Sequence, residues 1–457
     1  MSIAPESRAA VYAAAKRKAI VRLMPLLLLA YFIANINRTN VSIAKQNLEI
    51  HAGIDAAAFG LGAGLFFVTY AIFEIPSNMV LRRVGARIWI ARIAVSWGII
   101  SVALMFTTGP VYFYIVRMLL GAAEAGIFPA ILYLITRWFA QEDRGKMSGV
   151  VLATAALSSV VAAPAGGALL SLEGLFGLHG YQMLFLLEGV PAIIIGIIIF
   201  FTLPSGPEDA GWLTESEREV VLDIAGGEQS THETIGGILR AALANPLIVI
   251  AAVFYVFNML AAYGIIFFTP SIIFAMGVEN TFHVGLIAAI VSIGSAAGLL
   301  IVPRFIPRAG GEMRLLWCTT GATIVTAALF LASAAGVGLP SSHALQIGIL
   351  ALVMFFVSAS QPLLWSSLMA RITGAVAATG LAFVSMFGQI GSFIGPYAFG
   401  LVEKNTGDAN ASVWLILAAT VCGLALLPLL ARVLGRAAGP TSSSGGKERF
   451  GDGDVTP

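Results

Sequence analysis

Apolar residues in this chain are grouped into long runs rather than alternating. Twelve runs span 22–45, 58–82, 88–108, 110–138, 146–171, 181–203, 246–272, 282–303, 314–336, 343–370, 376–402 and 411–434. Each is long enough for a helix to cross a hydrocarbon core of ~30 Å. Short polar turns separate them, except where residues 204–245 divide the series into two sets of six. That stretch is rich in acids, and its Thr214 and Glu217 stand three apart ahead of Val220, Val221 and Leu222. Such spacing predicts a capped, short surface helix in a solvated linker. The pattern predicts an all-α membrane protein. It has a tail at 1–21, a six-helix half at 22–203, a linker at 204–245, a second half at 246–434 and a tail at 435–457.

Composition agrees, with 58% hydrophobic and only 11% charged residues among 457. Charge placement says more than the net charge of +2. With the N-terminus inside, the outer loops keep only Lys45 and Lys404, and Arg38 and Arg117 are intramembrane. All other Lys and Arg fall in tails, inner loops or inner helix ends, including Arg82, Arg83 and Arg87, and Arg304 and Arg314. The positive-inside rule therefore predicts both termini in the cytoplasm. Residues 1–19 are polar and basic, and the first apolar run passes Arg38 without a small-residue cleavage pattern. That run is expected to be a retained membrane helix. The five histidines are scattered singly, so no metal site is expected. Cys318 and Cys422 lie in apolar runs and read as small core residues. No cofactor, nucleic-acid partner or obligate protein partner is implied.

Ionised side chains inside apolar runs are the candidate chemistry, because a charge in the membrane is expensive and seldom faces lipid. Arg117 and Glu124 are seven residues apart in VYFYIVRMLLGAAEAGIFPAILYLITRWF, so one continuous helix places them ~10 Å apart on one face. Glu124 is the candidate proton carrier, or else a fixed structural partner of Arg117. Arg38, in AYFIANINRTNVSIA, lies sixteen residues beyond Arg22, at roughly the depth of Arg117. A guanidinium there suits a substrate carboxylate. Glu74, two turns before Arg82, is expected to brace the inner arginines, and Glu188 has no assigned role. The predicted spans of the second half contain no acid. They offer Asn258 and Tyr263, Gln361 and Trp365, and Ser385 and Gln389 as polar or aromatic lining.

The halves echo one another. Pro164, Gly166 and Gly167 in the fifth run match Gly391, Gly395, Pro396 and Gly400 in the eleventh. Related halves with a site between them are a transporter architecture.

Five stretches carry a family resemblance: INRTNVSIA, FFVTYAIFEIPSNMVLRRVGAR, RMLLGAAEAGIFPAILYLITRWF, LFLLEGVPAIIIG with the following PEDAGWLTESE, and GQIGSFIGPYAFG. Through them the chain resembles the anion:cation symporter family of the major facilitator superfamily, in particular permeases for tartrate, 4-hydroxyphenylacetate and phthalate. The resemblance implies twelve helices, alternating access and proton-driven uptake of a small organic anion across a bacterial-type inner membrane. It also implies that Arg38 and Tyr70 face substrate, that Glu124 takes part in proton coupling beside Arg117, and that Asn258, Trp365 and Ser385 lie near the cavity. Two positions depart from it. Asn37 stands where many members have a titratable aspartate, and Ser385 and Gln389 stand where members often have asparagines.

The expected function is import of a carboxylate by proton symport, with protonation of Glu124 freeing Arg117 from its pair while Arg38 holds the anion. An uncoupled facilitator or an anion exchanger of the same fold is the alternative. A membrane-embedded enzyme or sensor is a remote one, since no nucleophile–base pair, metal cluster or phosphate loop is present.

Overall fold

The computed structural model describes residues 5–225, 240, 243–306, 311–369, 371 and 375–437. Most of the linker's second part and nearly all of the C-terminal tail expected at 435–457 thus lie outside the described residues. Twelve helices are long and apolar enough to cross a membrane. They are α1 (Arg8–Asn40), α2 (Ala56–Val84), α3 (Ala86–Phe106), α4 (Pro110–Trp138), α5 (Gln141–Leu170), α6 (Gly180–Thr202), α7 (Pro246–Ala275), α8 (Thr281–Phe305), α9 (Glu312–Ala334), α10 (His343–Met369), α11 (Gly380–Thr406) and α12 (Ala409–Leu434).

Packing repeats with a period of six helices. In the first half α1 lies on α5, α2 on α4 and α3 on α6; in the second, α7 lies on α11, α8 on α10 and α9 on α12. Small residues set these approaches, since apolar lipid gives helices no hydrophobic reason to associate. A Cβ on Gly98 of α3 would lie 2.8 Å from the Gly189 carbonyl oxygen of α6, so both backbones need glycine there. The halves meet through α2 on α11 and α5 on α8, a pair of contacts that the six-helix repeat interchanges.

These inter-half contacts seal one end of the bundle. Gly60 and Gly64 of α2 leave no room for a side chain against the Pro396 and Phe393 backbone, nor does Gly400 of α11 against Ala56. Gly167 of α5 abuts Thr281 of α8 in the same way. Lys45, in the short helix Lys45–Ala52, reaches Glu403 at 2.5 Å and the Ser271 hydroxyl at 2.8 Å, and sits over the Phe268 ring. Lys404 pairs with Asp55 at 2.9 Å, and Asp55 also caps α2 by accepting from Ala58 N. Inter-half ring contacts continue inward as far as Phe67 on Tyr263. Among the described residues no hydrogen bond, ion pair or ring contact joins the halves beyond that level. The bundle is closed at the Lys45 end.

The linker is clasped to the first half. Thr214 and Glu217 form the expected reciprocal cap, with Thr214 N donating to Glu217 Oε2 at 2.8 Å and Glu217 N to Thr214 Oγ1 at 3.3 Å. The helix it opens spans Glu215–Ala225. Lys18 of α1 bonds Glu217 at 2.7 Å, Trp212 stacks on Trp138, and Arg137 pairs with Glu208 at 2.5 Å. Helical structure in α1 begins well before the expected residue 22, because Tyr12 and Lys16 both anchor on Asp143 of α5. The two cysteines are not core residues; both are exposed, on α9 and α12.

Candidate functional site

The site is built on a helix that the apolar pattern reads as continuous but that breaks in the membrane. The first segment of α4 runs Pro110–Glu124 and the second Ile127–Trp138. Pro129 has no N–H, so it cannot take the Ala125 carbonyl four residues back. Gly126 adopts φ +98°, a conformation that L side chains rarely hold. The freed Ala125 carbonyl accepts instead from Ser77 Oγ of α2 at 2.7 Å, and Trp89 Nε1 of α3 donates to the same hydroxyl at 2.9 Å. Glu124 is therefore the last residue of a half-helix, an arrangement met where transporters bind substrate and ions.

Glu124 is almost fully buried, and its partner is Arg38 of α1 rather than Arg117. Arg38 Nε donates to Glu124 Oε1 at 3.0 Å, and Nη2 donates to the same oxygen. The expected Arg117–Glu124 pair is corrected. Two turns along one helix is too far for a hydrogen bond, and side chains from separate helices meet more easily. Arg117 is 0% exposed and donates only to the Gly62 and Ala63 carbonyls, at 3.3 and 3.4 Å, while its Nη1 is buried without a partner. The Phe66 ring lies beneath both guanidinium groups, and Tyr70 lies 4.9 Å from Arg38. Glu74 of α2 also lies within electrostatic reach of Arg38, so the two arginines face one hydrogen-bonded and one unbonded carboxyl group.

Tyr263 is the second-half candidate that joins this group. Its ring centroid is 4.5 Å from that of Phe67, and it lies within electrostatic reach of Arg38, as do Tyr70 and Tyr31. Tyr31 is a member that the sequence reading missed, although it lies seven residues before Arg38 on α1. Asn258, Trp365, Ser385 and Gln389 make no hydrogen bond, ion pair or ring contact with Arg38 or Glu124. Asn258 donates to the Val357 carbonyl of α10 at 3.0 Å and lines a cavity of about 20 Å³ within the second half, with its Oδ1 unpartnered. Trp365 packs edge-on to Tyr255, which in turn covers Gly388, between Ser385 and Gln389. Ser385 and Gln389 are partly exposed.

Asn37 turns away from Arg38. In the amide orientation that satisfies both neighbours, it donates to Glu188 Oε2 at 3.0 Å and accepts from Trp97 Nε1 at 2.9 Å. Asn40 Nδ2 also donates to Glu188. Glu74 makes no hydrogen bond or ion pair among the described residues, so it does not brace Arg82. At the sealed end, Glu173 and His179 approach to 3.0 Å and the His51 ring stacks on that of His179. Three potential metal-binding side chains thus come together from two loops, where the sequence reading saw isolated histidines. The Glu173 carboxyl is held below its ordinary range: burial pushes it up, but the Gly180 N–H and the histidines outweigh that.

Comparison with known proteins agrees with this architecture. The profile of the Major Facilitator Superfamily matches residues 27–396. The chain is 36% identical over 416 residues to an Agrobacterium vitis protein named "Putative tartrate transporter", covering 91% of each. It is 34% identical to a "Quinolone resistance transporter" of Acinetobacter baumannii, covering 90% of this chain and 93% of that one. Among solved structures, a bacterial homolog of the human lysosomal transporter Spinster, in an inward-facing and occupied conformation, superposes with a TM-score of 0.67 at 18% identity. That match covers 91% of this chain and 96% of the other. A D-xylose–proton symporter gives a TM-score of 0.70 at 15% identity, covering 89% and 97%.

Proposed function

The chain belongs to the major facilitator superfamily, and from that premise we propose that it imports a small organic carboxylate by proton symport through alternating access. It is a multi-pass inner-membrane carrier rather than an enzyme. The observation that carries the proposal is the clasp of Arg38 by Glu124 beside a second, uncompensated arginine. A substrate carboxylate and the Glu124 carboxylate compete for one guanidinium. Protonation of Glu124 abolishes its claim on Arg38 and makes the site more positive by one charge, so proton and anion each bind more tightly when the other is present. Arg38 takes over the freeing step that the sequence reading gave to Arg117. Arg117 stays in place and supplies fixed positive potential.

Tyr70, Tyr263 and the Phe66 and Phe67 rings form the apolar and hydroxyl-bearing wall of this reading. Asn258, Trp365, Ser385 and Gln389 belong to it as second-half elements that approach substrate on closure. From lysine and arginine placement we read the sealed Lys45 end as the outer one. The conformation then corresponds to release, with the Arg38–Glu124 pair re-formed. Relatives at 36% and 35% identity are named for tartrate, which favours a carboxylate as cargo.

Uncoupled facilitation or anion exchange is the second reading, favoured by the neutral amide at Asn37. One experiment separates them: uptake of a labelled organic-acid panel, tartrate included, into proteoliposomes with and without an inward proton gradient. Symport predicts gradient-driven accumulation that Glu124→Gln abolishes while counterflow persists. Equilibration that ignores the gradient in the unaltered protein would overturn symport in favour of the second reading.

A further inference from the structure

Glu188 is an ionisable group of the membrane interior that the mechanism above leaves unused. It is the ninth residue of α6, ~12 Å along that helix, and is 6% exposed. An intramembrane carboxyl without a cation is a functional candidate by default. The groups facing it are accounted for helix by helix. From α1 come the amides of Asn37 and Asn40; from α3 comes the Trp97 indole, acting through Asn37. From α5, Gly166 backs the Asn40 side chain and brings no charge. Of the arginines on these neighbouring helices, Arg38 is engaged on Glu124 and Arg92 lies over the Trp89 ring. Glu188 has no ion pair among the described residues.

We propose that Glu188 is a second proton-binding site of this carrier, held by Asn37 and Asn40 and reached from the cavity between the two halves. Two observations on Asn40 carry this. First, its Nδ2 donates to Glu188 while its Oδ1 is a buried acceptor with no partner, in a side chain only 1% exposed. An amide in that position serves both forms of the carboxyl. Its Nδ2 donates to the carboxylate, and after the amide turns over its Oδ1 accepts from the protonated acid. Second, Asn40 also lines a cavity of about 60 Å³ where α1 and α5 meet α7 and α8. Hydroxyls of Thr39, Ser42, Ser159, Thr269 and Ser292 line that cavity. Its lining is mostly apolar, with these hydroxyls as the polar minority, and it has room for several waters. The α5–α8 contact closes it at the sealed end, so parting of the halves opens a water path to Asn40; as the amide turns, a water delivers the proton to Glu188 and Asn40 only exchanges the hydrogen bond that it gives for one that it accepts.

This deepens the symport reading, on which it rests for its role in transport, but it is tested without transport. Infrared difference spectra of the full-length protein in liposomes, titrated with pH, report protonated carboxyl groups directly. The expected result is a buried protonated-carboxyl band at neutral pH that survives in Glu124→Gln and disappears in Glu188→Gln. In Asn40→Ala, which keeps the acid and guards against misfolding of the glutamine variant, the band shifts in frequency. Ser159→Leu, which fills the cavity, should slow hydrogen–deuterium exchange of the band at least tenfold. A band unaffected by Glu188→Gln, or none in the unaltered protein, overturns the site. An exchange rate unchanged in Ser159→Leu overturns the route. Failure of gradient-driven uptake beside a positive infrared result would refute symport and leave Glu188 as a proton site.

Discussion

Replacing Lys45 by methionine should tip the carrier toward opening at its sealed end. Lys45 is 4% exposed and Glu403 18%, so the ion pair they form is largely desolvated. Glu403 Oε2 already has no partner. Lys45→Met leaves the carboxylate wholly unpaired in the closed state, whereas it regains water once the halves part. Removing one member of a buried pair costs ~3–5 kcal/mol. Since Glu403 keeps some access to water, ~2–3 kcal/mol is the appropriate share. At ~1.4 kcal/mol per tenfold, that is a shift of roughly 30- to 150-fold in the conformational equilibrium. The Asp55–Lys404 pair is solvated on both sides and should compensate little. Spin labels at the exposed positions Ile50 and Asn405, after replacement of the exposed Cys318 and Cys422, place one probe on each half. Double electron–electron resonance in nanodiscs should show a longer-distance population in Lys45→Met. It should shrink again in Lys45→Met/Glu403→Met, where an apolar pair replaces the orphaned charge. A distance distribution identical to that of the unaltered protein would refute the latch argument.

Two more predictions concern the joints of the first half. Gly126→Ala forces an L side chain to φ +98° and drives its Cβ into Ser77 Oγ. The backbone alone should cost ~1–2 kcal/mol, visible as a lower Tm, and uptake of whichever acid the panel identifies should fall with it; an unchanged Tm would mean that the break tolerates a side chain. The linker clasp should loosen in acid. Burial raises the Glu217 carboxyl, but the bonds from Lys18 and Thr214 outweigh it and hold it below the ordinary carboxylate range. A depressed value stabilises the contact above the unfolded-state value and loses that stabilisation as pH falls through the folded one. Amide protection factors of Glu215–Ala225, corrected for the intrinsic pH dependence of exchange, should therefore fall as the pH drops below the ordinary carboxylate range relative to pH 7, and equal protection factors at both would contradict this assignment.

The fold was legible in the sequence because a bilayer permits few solutions: long apolar runs become helices and cations collect on one side. The capping box at Thr214 was legible because it is local. Partners across helices were not. Glu124 and Arg117 share a helix and invited pairing, yet Arg38 arrives from α1 at hydrogen-bonding distance, which only the packing determines. The break in α4 had a readable signal, since Gly126 and Pro129 together remove one helical bond and permit a left-handed residue, but the length of the apolar run masked it. Glu188 looked purposeless because its donors, Asn37 and Asn40, sit far away in the chain. His51 and His179 looked solitary for the same reason.

The interruption at Ala125–Gly126 also bears on how force travels through the protein. Below it, Ile127–Trp138 is fastened to the linker by Trp138 on Trp212 and Arg137 on Glu208. Above it, Pro110–Glu124 is fastened to α2, where the Arg117 guanidinium bonds the Gly62 and Ala63 carbonyls. A rigid rod would carry every excursion of the linker straight to the Glu124 carboxyl and blur the geometry of its pair with Arg38. A pivot of two residues lets the segment joined to the linker swing while the upper segment keeps station. The protein thus separates its bearing from its lever, and the charge cluster can stay in register through a motion that it does not have to follow.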